Sequence, residues 1–436
     1  MLMRLRGDHL AGRRGGLVSI CSARREVLAA AFDLAAAERC AVVVEATANQ
    51  VNPAGGYTGM SPEEFIAQAA RLAQASGIGR ESLLVGADHL GPAAWAREPA
   101  RSAMARAAEL ARRCAAAGFG KLHLDTGFGC ADDPPQGVPP QEAAARAALI
   151  CRAAEDGAGA LPPGSPRPLY VIGAEVPPPG GSLEAGAEAP VTSPAEIAEA
   201  LRVTAEHFQA AGLAGAWERV AAIVVQPGVD FGDESVAVYR PERARELSSR
   251  HAALPGVMTY EVHSTDFQPP EALAALVRDH FTLLKVGPCL TFAFREAVFA
   301  LAAIEGEWLG GRRGLKPSLI RPLLEQAMKR DPAHWERHYR GPRSRRRYLR
   351  GYSLRDRIRY YWARPEIAAA LSRLMANLNA EPLPAGLIRQ FFPESAEAVR
   401  RGEIPPRPEA LVRRRIQMAL RPYLEAGRAP GEGSRK

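Results

Sequence analysis

The sequence predicts an α/β chain folded as a (β/α)8 TIM barrel with a C-terminal helical extension. Three observations carry that reading. Eight apolar runs of four to eight residues stand before residue 290, the form of strands buried on both faces of a parallel sheet. Amphipathic helical stretches alternate with them, the pattern of repeated βα units. Polar residues gather at the C-terminal ends of the runs, where barrel active sites are assembled. A doubly wound open sheet is the alternative, but no G-x-G-x-x-G or G-x-x-x-x-G-K-[ST] follows the first run.

In chain order the expected strands are Leu17–Ser22, Ala41–Ala46, Leu83–His89, Lys121–Asp125, Leu169–Glu175, Ala221–Gln226, Met258–His263 and Leu283–Val286. Between them, Ser61 stands as N-cap before a helix opening at Pro62. Ser193, Pro194 and Glu196 supply a cap, a proline at N1 and an acid at N3. Residues 1–300 are thus expected to form the barrel and 301–436 a helical addition, with helical spacing at Pro322–Arg330, Leu354–Tyr361 and Pro365–Leu378. The tail from Gly427 is expected to be loose.

Composition bounds the function. Apolar residues make up 47% and charged residues 24%, as in ordinary globular chains, which excludes wholesale disorder. The net charge is +8, but only five of the 56 basic residues are lysine, so the arginines read as a composition bias. The basic stripe Arg343–Arg347 has no aromatic ladder or zinc-finger spacing beside it, and no nucleic-acid partner is expected. Six cysteines without a CxxC pair make no disulfide framework. The longest apolar stretch, Cys289–Ile304, is interrupted by Arg295 and Glu296, so no membrane partner is expected either. The expected compartment is the cytoplasm.

The chemistry lies at the strand ends: Glu45, Asp88-His89, His123 and Asp125, Glu175, Gln226, and His263 with Asp266. The two-residue period of a strand puts His123 with Asp125, and Glu261 with His263, on common faces. His89, His263 and Glu175 form a ligand set for a divalent metal with an open position. Asp88 is expected to point the other way along its strand, placed to shuttle a proton, with Asp125 a second acid/base candidate. A bound metal that polarises a ketone would support aldol or retro-aldol chemistry on a sugar. Gly-rich turns at Asn49–Gly59, Val176–Ser182, Pro227-Gly228 and Gly287-Pro288 let backbone N–H groups approach an anion, or simply punctuate loops. Schiff-base catalysis is disfavoured. Lys121 opens its strand at the wrong end of a barrel, and Lys285 is better read as contacting a substrate hydroxyl or phosphate.

Eight stretches carry a resemblance: EATANQVNPAGGYTGM (45–60), GADHLGP (86–92), KLHLD (121–125), AEVPPPGG (174–181), VVQPGV (224–229), YEVHSTDFQ (260–268), LKVGPCLTFAFREAVFAL (284–301) and YSLRDRIRYYW (352–362). From Met1 to about Leu424 the chain resembles the GatZ/KbaZ family, the second subunit of class II D-tagatose-1,6-bisphosphate aldolase. The resemblance implies kinship with class II aldolases proper, which are zinc-dependent barrels. Asp88, His89, Glu175 with Gly180-Gly181, and His263 look like counterparts of their site. At the sixth strand those enzymes place a histidine and this chain has Gln226. Either Gln226 or a carboxylate substitutes as ligand, or the metal is weak or absent.

Two functions follow from the resemblance. One is an enzyme using a divalent metal (Zn, Mn, Ni or Co) on a ketohexose or ketohexose phosphate, including C4-epimerisation of fructose and tagatose through an enediolate or retro-aldol step. Here Glu45, Asn49, His123, Asp266 and the glycines 180 and 181 would contact the substrate, and Lys285, Ser264, Thr291 and the backbone of Gly228 would hold a phosphate. The other is a non-catalytic subunit that stabilises and activates a catalytic aldolase chain. A homo-oligomer is expected.

Overall fold

The computed structural model of the chain describes residues 1–173, 181–182, 184 and 187–428. Eight strands close a parallel barrel: β1 (Leu17–Cys21), β2 (Val42–Thr47), β3 (Leu83–Leu90), β4 (Lys121–Asp125), β5 (Leu169–Gly173), β6 (Val220–Val225), β7 (Thr259–Val262) and β8 (Phe281–Val286). Neighbours follow chain order, and β1 seals the ring by pairing with both β2 and β8. Each lies where an apolar run was expected, shifted by at most two residues at the ends compared. The last two residues expected in the fifth strand, Ala174 and Glu175, lie outside the described residues. Ser61 and Ser193 both close full capping boxes, with Glu64 and Glu196, on helices Pro62–Ser76 and Pro194–Ala210.

The barrel interior is layered. At the N-terminal end Leu17, Val43, Ala221 and Leu283 meet Leu2 and Leu5, so the first residues of the chain plug the barrel floor. Burying one such leucine contributes about 1.5–3 kcal/mol. Above this apolar floor the interior changes character. Ser19, Glu45, Lys121, Glu261 and Lys285 are buried at mid-height, in place of the branched aliphatic side chains usual in barrels.

Two compact units make up the chain. The barrel unit comprises Met1–Ala23, Ala35–Gly287 and Pro422–Lys436. The second comprises Arg24–Leu34 and Pro288–Arg421. The expected boundary at residue 300 falls inside one continuous helix, Pro288–Leu309. Within the second unit, helices Ile320–Arg330 and Pro365–Asn379 match the helical spacing. The stretch Leu354–Tyr361 does not form the helix expected of it. Asp356 takes a left-handed φ of 43°, so only a 3-10 turn, Arg357–Tyr361, follows. No helix among the described residues is long and apolar enough to cross a membrane.

Candidate active site

Three imidazoles converge at the C-terminal end of the barrel. His89 ends β3, His123 lies in β4 and His263 follows β7. Their ring centres are 5.3 Å (His89–His123), 5.1 Å (His89–His263) and 5.1 Å (His123–His263) apart. Each ring has one nitrogen engaged by its own carboxylate. His89 Nδ1 lies 2.8 Å from Asp125 Oδ2, His123 Nδ1 2.8 Å from Asp88 Oδ1, and His263 Nε2 2.9 Å from Glu261 Oε1. An ionised carboxylate only accepts, so these nitrogens carry the protons; the opposite nitrogens of His123 and His263 then carry lone pairs, while His89 Nε2 faces a second carboxylate, Asp88 Oδ2, at 3.3 Å. Among the described residues, His123 Nε2 is buried with no hydrogen-bond partner.

That arrangement is the one that fixes the tautomer and orientation of metal-binding histidines. Asp88, His123, Glu261 and His263 also offer one ligand atom each within 4.8 Å of one another, all four residues buried. Three rings ligating one tetrahedral ion would stand with centres about 5 Å apart, as these do. The donor set therefore fits a divalent cation.

Below the rings runs a ladder of buried ion pairs. Lys121 Nζ bridges Glu45 Oε1 at 2.5 Å and Glu261 Oε2 at 2.8 Å. Lys285 Nζ contacts Asp88 Oδ1, Glu261 Oε1 at 2.7 Å and Glu45 Oε2 at 3.4 Å. Ser19 donates to Glu45, and the Cys21 thiol donates to Asp88 Oδ2 at 3.2 Å. With neutral imidazoles, the carboxylates Glu45, Asp88, Asp125 and Glu261 exceed the ammonium groups Lys121 and Lys285 by two charges. A dication would cancel that excess.

These neighbours set the protonation states. Burial alone would raise the Asp88 carboxyl, but His89 and Lys285 outweigh it and hold the group well below the usual carboxylate range. Glu261 is likewise held low, with burial overcome by Lys121 and Lys285. Burial, reinforced by the Lys285 ammonium, pushes His263 down to about 3, so its imidazole is neutral at working pH. For His89, burial is outweighed by Asp88 and Asp125 and the ring is raised. Burial pushes the Cys21 thiol up, with Asp88 adding to it, so it remains protonated.

Local backbone geometry explains how neighbours in sequence share one site. His89 has φ 51°, a left-handed conformation that costs a non-glycine residue about 1–3 kcal/mol. The turn breaks the alternation of the strand, and the β3–β4 register shifts between Ala87 and Leu90. Asp88 therefore does not point away from His89, as strand periodicity suggested. Its Oδ1 accepts the His89 N–H at 2.9 Å, and its Oδ2 lies 3.3 Å from His89 Nε2. Two glycines make the room. A Cβ on Gly91 would lie 1.6 Å from the Asp125 carbonyl oxygen, and one on Gly86 only 3.0 Å from Glu45 Oε1.

The remaining candidate residues divide. His89 and His263 meet in the cluster, joined by His123, which the sequence suggested as a sugar contact. Gln226 does not join them. Its Oε1 accepts the backbone N–H of Gly228 (2.9 Å) and of Val229 (2.8 Å), holding the turn after β6. Asp230 cannot stand in for it, because its carboxylate accepts from Ser182 and the Phe231 N–H. Glu45 is deep in the ladder, and Lys285 is bound by three carboxylates. Asp266 accepts the Gly287 N–H at 3.1 Å, Ser264 has φ 55°, and Asn49 is exposed. Gly181, at φ 81°, packs on the Phe231 carbonyl. Thr291 belongs to the second unit and donates to Asp356 Oδ2 at 2.7 Å. Glu175 and Gly180 lie outside the described residues. Sequence reasoning left Glu261 without a role, although its two-residue spacing from His263 was the available signal.

Comparison with known proteins now decides the lineage. A family model described as D-tagatose-1,6-bisphosphate aldolase subunit GatZ/KbaZ-like matches residues 2–428. The chain belongs to the GatZ/KbaZ-like family. Proteins named D-tagatose-1,6-bisphosphate aldolase subunit GatZ from Salmonella dublin and Salmonella enteritidis PT4 are each 44% identical over 417 residues, covering 95% of this chain and 96% of theirs. Among solved structures, a protein from Sinorhizobium meliloti 1021 described as a probable tagatose 6 phosphate kinase is 42% identical with a TM-score of 0.84. The match covers 94% of this chain and 100% of that one. Within the GatZ/KbaZ-like family, then, this chain is an aldolase-type barrel with a buried group of His, Asp and Glu side chains that could hold a metal ion.

Proposed function

We propose that this GatZ/KbaZ-like chain is itself an enzyme, a metal-dependent barrel that epimerises a ketohexose or its phosphate at C4. The observation that carries the reading is the ring of three imidazoles, each bonded to a buried carboxylate, with His123 Nε2 buried and without a hydrogen-bond partner among the described residues. His89, His123 and His263 would hold a divalent cation such as Zn, Mn, Ni or Co, and Asp125, Asp88 and Glu261 would orient them. When bound, such a cation supplies Lewis-acid polarisation of the sugar's carbonyl and hydroxyl oxygens.

The chain's own groups do the rest. Fructose and tagatose differ only at C4, so the reaction needs either the C4 proton removed and returned on the other face, or the C3–C4 bond broken and remade. Asp88 and Asp125 are the acid/base candidates, each with a carboxylate oxygen 2.8 Å from an imidazole nitrogen. Asp125, through His89, keeps that side of the ring in one orientation. Lys121 and Lys285 offset two of the four buried carboxylate charges.

The test is purified protein, stripped and reloaded with each of the four metals, given fructose, tagatose and their phosphates. Turnover with at least one metal, abolished in His123→Gln together with metal binding, is the expected result. No turnover on any of these sugars refutes the enzyme reading.

A second reading has its own support. The GatZ relatives are named as aldolase subunits, and no imidazole stands at the end of β6. On that reading the chain stabilises and activates a catalytic tagatose-bisphosphate aldolase chain. Co-purification with such a chain, with no metal bound to this one, would favour it.

A further inference from the structure

We propose that Lys285 is the charge-setting residue of the candidate metal cage: its ammonium fixes how tightly a dication binds at the three imidazoles. The inference rests on the metal reading above and adds the residue that tunes it. Lys285 Nζ does not sit at random among the carboxylates. It lies 2.7 Å from Glu261 Oε1, the same oxygen that His263 Nε2 meets at 2.9 Å. It also contacts Asp88 Oδ1, the same oxygen that His123 Nδ1 meets at 2.8 Å. One ammonium thus rests on the two oxygens that orient two of the three rings, and its side chain is 5% exposed.

The position has two consequences. A positive charge one oxygen away from each ring lowers the attraction of the cage for a cation, because little water intervenes to screen it. It also draws carboxylate charge away from the imidazole N–H groups, which makes the rings weaker donors to the ion. Both act in one direction: with Lys285 present, the ion is held less tightly and stays a stronger Lewis acid. Lys121 lacks this place. Its contacts are Glu45 Oε1 and the outer Glu261 oxygen, Oε2, so its charge acts one step further from the rings. Glu45 opposes Lys285 at 3.4 Å while touching no imidazole, so removing its charge should weaken the ion's hold without disturbing ring orientation.

The experiment is calorimetric titration of Zn(II) and Co(II) into the metal-stripped full-length chain. The variants are Lys285→Met, Lys285→Arg and Glu45→Gln, with the Co(II) absorption spectrum recorded for each. Lys285→Met is expected to tighten binding by about tenfold or more and to shift the Co(II) bands, since the rings' donor strength changes. Lys285→Arg is expected to restore wild-type affinity within about threefold, and Glu45→Gln to weaken binding by about threefold or more. Unchanged or weaker binding in Lys285→Met overturns the proposal. Should that variant fail to fold, unchanged or tighter binding in Glu45→Gln overturns it instead. Absence of any binding by the wild type defeats the metal reading and this inference with it. Wild-type binding without these shifts defeats this inference alone.

Discussion

Lys121→Met isolates the buried ladder from the metal question. Lys121 is fully buried, and so are both of its partners, at 2.5 Å and 2.8 Å. At an effective dielectric constant of about 20, each contact is an attraction of about 6 kcal/mol. Desolvation of three ions cancels most of that sum, which is why intact buried pairs contribute little net stability. Removing one partner is different, because Glu45 and Glu261 would lose their shared counter-charge while remaining out of water. Breaking a buried pair in this way costs about 3–5 kcal/mol. Urea denaturation followed by circular dichroism should read that loss. Lys121→Met/Glu45→Gln should then recover about 1–3 kcal/mol relative to the summed single effects, since the second change removes the stranded charge. A loss under about 1 kcal/mol for the single variant, or strict additivity in the double, would refute the claim that the ladder is a coupled set of ions.

Two further outcomes are expected. At the barrel's N-terminal end His9, His251 and His280 form a second cluster, with His9 Nδ1 3.1 Å from His280 Nδ1 and Arg6, Arg14, Asp8 and Asp279 as charged neighbours. Burial, joined by the neighbouring histidines and arginines, pushes His251 to about 3, and burial with Arg14 and His9 pushes His280 to about 4, against 6.5 unfolded. Here the unfolded chain binds more protons than the folded one, so stability is full above pH 6.5 and falls as pH drops toward 4. Urea midpoints at pH 7.5, 6 and 5 should decline accordingly, and His280→Gln should flatten the decline; a profile flat from 7.5 to 5 in the wild type contradicts this. Gly91→Ala should not fold to the native state at all, because its Cβ would lie 1.6 Å from the Asp125 carbonyl oxygen. Soluble protein with wild-type melting behaviour would show that β3 and β4 do not approach as described.

The barrel was legible because its strands are mostly buried. Each is a compact apolar run, and the two Ser–Pro openings marked where helices Pro62–Ser76 and Pro194–Ala210 begin. The site was legible only in composition. Strand periodicity pairs His123 with Asp125 and Glu261 with His263, and those pairs do share the cavity. It fails at Asp88-His89, since a left-handed histidine leaves no mark in the sequence. It fails again at Lys121, the first residue of its strand. Barrel strands are staggered, and Lys121 pairs with Gly86, the fourth residue of β3, so its amine reaches the ladder rather than the floor. Gln226 misled for another reason: a side-chain amide at a strand end serves a Pro-Gly turn as well as it serves a ligand site, and here it does the former.

The cost of the ladder bears on whether the chain is catalytic or accessory. A subunit whose task is to brace a partner needs a stable barrel, and buried ion pairs are an inefficient way to make one. Well-packed apolar side chains of similar volume often match or exceed them, by up to about 4 kcal/mol. Such a barrel has no requirement for four carboxylates, two ammonium groups and three imidazoles around its axis. Nor does it need a left-handed His89, whose backbone strain brings nothing to packing. Strain and buried charge held together by surrounding structure are characteristic of sites that do chemistry. The absence of a sixth-strand imidazole does not reverse this, because His123, on β4 two strands away in the ring, stands beside His89 and His263 as a third imidazole. These energetics are the support for the proposal that the chain has its own reaction centre.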